Sequence, residues 1–163
     1  KLILVGPMTD DIGSSEYLRS YHKVFHSTVP YFDLKIEMQV QDVIKKLISS
    51  SAVTAVHDVS DGGLFTCLME SSWRSGLGLN IFSPQGIRKD SFLFGEGQSR
   101  VVVALSTNLM PGGIDILQKS GVSYFELGET TGSGEFRLDG QLIYTIPDWS
   151  KNHTEALPAA MED

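Results

Sequence analysis

The heptapeptide His57–Gly63, with the sequence His-Asp-Val-Ser-Asp-Gly-Gly, constrains the fold more than any other segment of this chain. An apolar run, residues 52–56, precedes it, and an amphipathic run, residues 64–73, follows it. This order predicts a strand, a tight loop and a helix. Two glycines at a helix start let the backbone approach a ligand closely, and the helix dipole and its unpaired N–H groups favour a phosphate or carboxylate there.

The side chains of this loop have a ligand-binding and a structural interpretation. Asp58, Ser60 and Asp61 carry oxygens that bind hydroxyls, amides or a metal-linked water. Gly62 and Gly63 leave room for the ligand. Alternatively, Ser60 or Asp61 caps the following helix, and the glycines only form the turn. The spacing by itself fits both interpretations.

Several ordered stretches resemble phosphoribosylformylglycinamidine synthases, the FGAM synthases of purine biosynthesis. Residues 11–18 resemble the family's Gly-Gly-Ser-Glu-Tyr segment, and residues 57–64 resemble its signature loop. Residues 94–100 resemble its Glu-Ser-x-Ser/Gly-Arg segment, and residues 128–129 resemble its Ile-Gly-Glu-Val strand. The resemblance runs from Leu2 to about Met161 and is to the C-terminal, AIR-synthase-like domain of the small form. Ser14 stands where the family usually has glycine, and Gly97 where it usually has serine or alanine.

This resemblance implies a domain of an ATP-dependent ligase, which converts formylglycinamide ribonucleotide to the amidine with ammonia derived from glutamine. It implies that the main ATP and Mg²⁺ residues and the catalytic histidine lie on preceding domains of the same chain. A glutaminase and small bridging subunits would complete the complex. This chain would supply one nucleotide- or phosphate-binding wall of the site. By itself it would be inactive and could form a homodimer.

The second candidate site is the segment Glu96–Arg100. A strand-edge Arg100 beside Ser99 is placed to bind a phosphate through two parallel N–H donors. Alternatively, Arg100 forms an ion pair with a carboxylate such as Glu96. Glu96 would hold a ribose hydroxyl, hold Mg²⁺ indirectly or make a structural hydrogen bond. Because the resembled family has this segment near its nucleotide substrate, we expect Glu96, Ser99 and Arg100 to face the same cleft as the 58–63 loop.

Two further groups favour a structural interpretation over a metal site. Asp10, Asp11 and Glu16 precede a helix and could bind a cation, but a solvated loop with a favourable charge at the helix start explains them. His22 and His26 are four residues apart, which is the spacing of a zinc pair on a helix. A third ligand is not apparent, so we expect two surface histidines.

The composition argues against several function classes. The net charge of −7, without a large basic cluster, disfavours nucleic-acid binding. No apolar run approaches the roughly 20 residues that cross a bilayer. Since no signal peptide is visible either, we expect a cytoplasmic protein without membrane contact. The single Cys67 cannot form an internal disulfide and is expected to be a small buried apolar residue.

The pattern of elements predicts an α+β fold, a mixed β-sheet with flanking helices, as the resembled AIR synthase C-terminal domains have. The expected strands are residues 2–5, 52–56, 78–82, 100–105, 124–131, 134–138 and 141–146, and the expected helices are residues 15–24, 33–50, 62–75 and 114–120. The last three strands should form an antiparallel meander in which Asp139-Gly140 is a hairpin turn.

Residues 1–163 are expected to form a single domain that is a fragment of a longer multidomain chain. The chain starts without methionine inside a strand-like run, and residues 149–163 resemble the natural tail of the small FGAM synthase. Two alternatives to the ligase domain are a scaffold that binds a structural nucleotide or nothing, and another member of the superfamily of AIR synthase, selenophosphate synthetase and thiamine-phosphate kinase.

Overall fold

A seven-stranded mixed sheet organises the computed structural model, which describes residues 1–162. The strands are β1 (Leu2–Val5), β2 (Ala55–Asp58), β3 (Gly78–Ile81), β4 (Val101–Ala104), β5 (Tyr124–Thr131), β6 (Glu135–Leu138) and β7 (Gln141–Thr145). Their order across the sheet is β2-β4-β1-β5-β3-β6-β7, with β3 and β6 parallel and the other neighbours antiparallel. The predicted fold class is confirmed.

Helices cover both faces of this sheet. Within the described residues they are α1 (Leu34–Ser49), α2 (Gly63–Trp73), α3 (Lys89–Phe94), α4 (Met110–Ser120) and α5 (Ile146–Glu162). Residues of α1 and α4 pack on one face, and residues of α2, α3 and α5 pack on the other. None of these helices combines the length and the apolar character needed to cross a bilayer.

The central strand β1 is buried on both faces. Leu2 and Leu4 join the core beneath α2, while Ile3 and Val5 join the core beneath α1. Each of the four side chains is 5% exposed or less. Fully burying such a side chain contributes about 1.5–3 kcal/mol, so this strand alone stabilises both layers.

The strand before the signature loop lies further along the chain than the predicted range 52–56. Ala52 still belongs to the turn after α1, because its amide donates to the carbonyl of Leu47 at 3.0 Å. The ladder with β4 begins only at Ala55. His57 and Asp58 therefore lie in the strand, and the loop begins after them.

The predicted antiparallel meander is wrong in one pairing. Strand β3 lies between β5 and β6 and pairs with β6 in parallel. This places Leu79 beside Phe136, and both are buried in the core beneath α2. The β6–β7 hairpin is confirmed, with Asp139 at φ 51° and Gly140 at φ 79°, as a type I′ turn requires.

The predicted helix 15–24 is reduced to a single π-helical turn, Tyr17–Tyr21. Lys23 takes a left-handed conformation, with φ 57°, and this ends the turn. Tyr17 stacks on Phe94 with the ring centroids 4.6 Å apart, but none of the turn's side chains is buried, and this contact does not stabilise a longer helix. The chain then continues without regular secondary structure to Asp33.

Two helices were not predicted. α3 has six residues, which is too short for a hydrophobic period to show. α5 replaces the expected polar tail. The hydroxyl of Thr145 donates to the Asp148 carboxylate at 2.5 Å and accepts from the Asp148 amide at 3.3 Å, so it caps the start of this helix. The last residue of the expected tail, Asp163, lies outside the described residues.

Gly63 and Gly76 provide a matched test of close packing. Both have left-handed backbone, at φ 68° and 67°, but a Cβ on Gly63 would lie 2.7 Å from the carbonyl oxygen of Leu93, whereas one on Gly76 would meet nothing within 4 Å. We expect Gly76→Ala to lower the free energy of unfolding by about 1 kcal/mol. Gly63→Ala should lower it by about 2 kcal/mol more, because the new atom collides with α3.

Urea denaturation of both variants measures this difference. Equal losses of stability would show that α2 and α3 move apart without cost.

Candidate functional site

The loop after β2 borders a polar cavity of about 290 Å³. Its polar lining residues are Ser14, Asp58, Ser60, Asp61, Glu96 and Gln98. A second cavity of about 220 Å³ shares Asp58 and Gln98 with the first and extends to Glu37 and Gln41 on α1. We call the two cavities together the acidic cleft. The cleft therefore brings together three distant stretches of the chain and the start of α1.

Carboxylates dominate the charge of the acidic cleft. Four of them line it: Glu37, Asp58, Asp61 and Glu96. Arg100 is the one basic residue among the lining residues in the described part of the chain, and it is 2% exposed. The cleft therefore favours a ligand that donates hydrogen bonds or carries positive charge, and it repels a bare phosphate.

The side chains of the loop are exposed, as a binding role requires. Asp58, Ser60 and Asp61 are all exposed, and within residues 1–162 neither Ser60 nor Asp61 makes a side-chain hydrogen bond. The N-cap of α2 is Gly62, which has no side-chain cap, so the capping interpretation is wrong. These oxygens are available to a ligand, and their contact with one stays a prediction.

The two glycines are required by the protein's own packing. A Cβ on Gly62 would lie 2.2 Å from the hydroxyl oxygen of Thr66. A Cβ on Gly63 would collide with the backbone of Leu93 and Phe94. Close approach of α2 to α3 explains Gly63 without a ligand, and a role toward a ligand stays a prediction.

Glu96 makes structural hydrogen bonds. Its Oε1 accepts the backbone N–H of Glu16 and that of Gly62, each at 2.8 Å. The predicted alternative of an ion pair with Arg100 is wrong, because Arg100 forms no ion pair in the described part of the chain. The Glu96 carboxylate thus substitutes for the missing cap of α2 from another segment of the chain.

The guanidinium of Arg100 is buried, although the residue lines the acidic cleft. Alternation along a strand places its side chain on the same face as Val102, which packs beneath α2. Its Nη1 donates to the carbonyl of Gly95 at 2.9 Å, while its Nε and Nη2 are buried without an acceptor among the described residues. Burial lowers the pKa of the guanidinium to about 10. Contact of this guanidinium with a phosphate in the cleft stays a prediction.

Ser99 lies on the cleft side and orients Glu37. Ser99 has a left-handed backbone, with φ 62°, and its hydroxyl donates to Glu37 Oε2 at 2.6 Å. This hydrogen bond lowers the pKa of Glu37, and the side-chain amide of Gln41 adds to the effect. Sequence reasoning missed Glu37 as a site residue. Its position in the first turn of the long helix after Asp33 was the available signal.

The histidine and cysteine side chains near the loop are structural. His57 Nδ1 lies 2.7 Å from the carbonyl oxygen of Asp58, and its Nε2 lies 3.4 Å from a carboxylate oxygen of Glu70. Cys67 is buried, as predicted, and burial raises the pKa of its thiol to about 12. A thiol in this state is not a nucleophile.

The acidic residues before the π-helical turn make contacts within the protein, and the two nearby histidines lie after the turn. Asp11 accepts the amide of Gly13 at 2.7 Å, and Glu16 pairs with Arg19. His22 and His26 follow the end of the turn and share no helix face. No group of three or more His, Cys, Asp or Glu that could hold a metal occurs among residues 1–162.

Sequence comparisons relate the chain to one family. Residues 1–141 match the family described as AIR synthase related protein, C-terminal domain. The phosphoribosylformylglycinamidine synthase subunit PurL of Moorella thermoacetica is 32% identical, over 98% of this chain and 22% of the relative. The subunit PurL of Methylocella silvestris is 34% identical, over 98% of this chain and 22% of the relative. The chain thus spans about a fifth of the length of the curated relatives it matches.

Solved structures share the fold. T. maritima PurL complexed with FGAR superposes with a TM-score of 0.77 at 15% identity, over 91% of this chain and 27% of that chain. T. maritima PurL complexed with ATP has a TM-score of 0.68 at 15% identity, over 90% and 24%. The structure of PurLQS from Thermotoga maritima has a TM-score of 0.70 at 14% identity, over 91% and 25%. At these identities the likeness establishes the fold alone.

Removal of the Ser99 hydroxyl should raise the pKa of Glu37 toward its ordinary value. A carboxyl with a lowered pKa in the folded state stabilises the protein above its unfolded-state pKa, and this contribution is lost as the pH falls through the folded-state pKa. We therefore expect Ser99→Ala and Ser99→Gly to lose less stability than the wild type on acidification. A carboxyl-carbon NMR titration between about pH 2 and pH 6 measures the pKa.

Asp33 is the internal control, because the backbone amides of Ile36 and Lys35 lower its pKa independently of Ser99. A pKa of Glu37 that stays unchanged in both Ser99 variants would contradict the assignment of this hydrogen bond as the main cause.

Proposed function

The chain belongs to the AIR synthase related protein family, as a C-terminal domain, and on that premise we propose that it is a domain of an FGAM synthase. The proposed ligase converts formylglycinamide ribonucleotide, ATP and glutamine-derived ammonia to the amidine. The observation that carries the proposal is the family match over residues 1–141, which includes the loop that borders the acidic cleft. The relatives named PurL at 32% and 34% identity support it.

The acidic cleft is proposed to be the wall that this domain contributes to the substrate site. Asp58, Ser60 and Asp61 are exposed acceptors that suit the amide N–H groups and ribose hydroxyls of a nucleotide substrate. Ser99 contributes to this wall indirectly, because its hydroxyl donates a hydrogen bond to Glu37. Gly62, Gly63, Glu96 and Arg100 support the wall through backbone geometry and hydrogen bonds. The cleft therefore suits the amide and hydroxyl groups of the nucleotide, which donate hydrogen bonds.

ATP and Mg²⁺ do not fit the described residues by themselves. The cleft presents carboxylates toward a ligand, and residues 1–162 contain no cluster of three candidate metal ligands. We propose that both are held mainly by other domains of the same cytoplasmic enzyme, so that this chain is inactive alone. The T. maritima PurL complexed with ATP supports nucleotide binding somewhere in such a protein.

The other domains are proposed to pack on an exposed apolar segment, residues 21–38, which we call the aromatic belt. Its large exposed side chains are Tyr21, Val24, Phe25, Val29, Tyr31, Phe32, Leu34 and Met38. Their summed exposed area is on the order of 1,000 Å², which is comparable to one side of a standard interface. Pro30 and Glu37 lie in this segment and line the cleft, so a domain on the belt would also border the site.

Partner subunits are the finer part of the proposal. The structure of PurLQS from Thermotoga maritima supports an assembly of PurL with further subunits. We propose that a glutaminase and a small bridging subunit assemble with the complete ligase chain that contains these 163 residues, which we call the longer polypeptide. A homodimer through the aromatic belt is proposed for the 163-residue chain when no other domain covers the belt.

One observation favours the scaffold as a second candidate function. Gly62, Gly63, Glu96 and Arg100 all have contacts within the protein that explain them without a ligand. In a scaffold, Asp58, Ser60 and Asp61 would then be ordinary exposed side chains.

Replacement of Asp61 separates the ligase domain from the scaffold. In the longer polypeptide, Asp61→Ala should lower kcat/KM for formylglycinamide ribonucleotide by about tenfold or more, because it removes an acceptor from the substrate wall. The matched control is Asp42→Ala, which removes an exposed carboxylate on α1. A coupled assay of phosphate release measures both, with the 163-residue chain as the blank. A change within about twofold, roughly 0.4 kcal/mol, would favour the scaffold.

Coverage of the aromatic belt is tested by amide hydrogen exchange. Segment 25–33 has no regular secondary structure, and none of its amides donates a hydrogen bond within the described residues, so they should exchange rapidly in the 163-residue chain. In the longer polypeptide the same segment should exchange at least about tenfold more slowly, while the β6–β7 hairpin serves as the unchanged control. Equal exchange in the two proteins would show that no other domain covers the belt.

A further inference from the structure

A single carboxylate oxygen joins the three chain segments that border the acidic cleft. Oε1 of Glu96 accepts the N–H of Glu16 and the N–H of Gly62, each at 2.8 Å. These amides lie 80 and 34 residues away from Glu96 along the chain. No element of the sheet connects the 11–16 segment to the 58–63 loop, so this oxygen supplies a direct link between them.

Hydrogen bonds fix the backbone of the segment that carries Glu96. The buried guanidinium of Arg100 donates to the carbonyl of Gly95 at 2.9 Å, and the Gly95 amide donates to the carbonyl of Ser91 at 2.9 Å. A Cβ on Gly95 would lie 2.5 Å from the carbonyl oxygen of Asp11, so the two segments are already in close contact there. The carboxylate of Glu96 therefore starts from a fixed backbone position.

Both linked amides are also in ordered surroundings. Ser15, beside Glu16, is 1% exposed, and its hydroxyl donates to the carbonyl of Ile12 at 2.7 Å. Gly62 starts α2, and the Thr66 hydroxyl donates to its carbonyl at 3.2 Å. Because each side is rigid, a bond to both sets the distance between them. Hydrogen bonds to a charged acceptor are stronger than those between neutral groups.

We propose that Glu96 is the positioning residue of the acidic cleft. Its carboxylate sets the spacing between the 11–16 segment and the loop that ends at Gly63, and this spacing orients Ser60 and Asp61 toward the ligand. Arg100 supports the same link by fixing the carbonyl of Gly95. The identity of the ligand rests on the function proposed above, whereas the link itself is a property of this chain alone.

The test follows amide hydrogen exchange by NMR in the 163-residue chain. Glu96→Ala removes the acceptor and should accelerate exchange of the Glu16 and Gly62 amides together, by about tenfold or more. Glu96→Gln keeps an oxygen acceptor and should return both rates to within about threefold of the wild type. Asp42→Asn removes an exposed carboxylate on α1, away from the link, and should change neither rate.

Several outcomes would overturn the proposal. They are unchanged exchange in Glu96→Ala, acceleration of only one of the two amides, and failure of Glu96→Gln to restore both. If Glu96→Ala does not fold, Glu96→Asp replaces it, because a side chain shorter by one methylene cannot reach both amides and should accelerate both.

A kinetic measurement on the longer polypeptide tests the effect on the site. Glu96→Ala should raise the KM for formylglycinamide ribonucleotide about fivefold or more, and Glu96→Gln should restore it. If the wild-type polypeptide forms no amidine, the proposed function is refuted. The exchange experiment then still tests whether Glu96 links the two segments. Active wild type with an unchanged KM and kcat in Glu96→Ala would refute the positioning role.

Discussion

Burial of β1 on both faces is the constraint on which the rest of the structure depends. Its four apolar side chains divide between the two helical layers, and its two edges pair with β4 and β5. β4 then receives β2 on its far side, with Asp58 opposite Val101. The end of β2 and the start of β4 are therefore adjacent, and the loop after β2 opens beside the segment that precedes β4.

That adjacency determines which polar residues meet in the cleft. Residues 58–61, 96–99 and the start of α1 converge because β2 pairs with β4 and α1 packs on the same end of the sheet. The same packing turns Arg100 inward, where it fixes the carbonyl of Gly95. The cleft is left with carboxylates and hydroxyls, so its chemistry is that of a hydrogen-bond acceptor.

The outer surface has a different character from the cleft. The aromatic belt is apolar, is largely without regular secondary structure and leads directly into α1. Its proximity to the cleft places an exposed apolar surface beside a cavity rich in acceptors. Both are consistent with a site completed by residues from outside this chain.

The sequence by itself determined the features that depend on near neighbours along the chain. Three such features are present in the structure. They are the helical period of apolar residues in α1 with Asp33 as its N-cap, the alternating or continuous apolar residues of the strands, and the Asp139-Gly140 turn. The resemblance carried by ordered motifs indicated the family correctly. These signals depend on 3.6-residue and 2-residue periods and on turn chemistry, which act within a few residues.

Only the tertiary structure decided the pairings between distant segments. The insertion of β3 between β5 and β6, the inward direction of Arg100 and the two partners of Glu96 depend on which surfaces bury most apolar area together. Competing partners for a strand edge or a carboxylate look alike in sequence, because each satisfies the same hydrogen-bonding groups. The choice among them is made by packing of the whole domain, which no local pattern records.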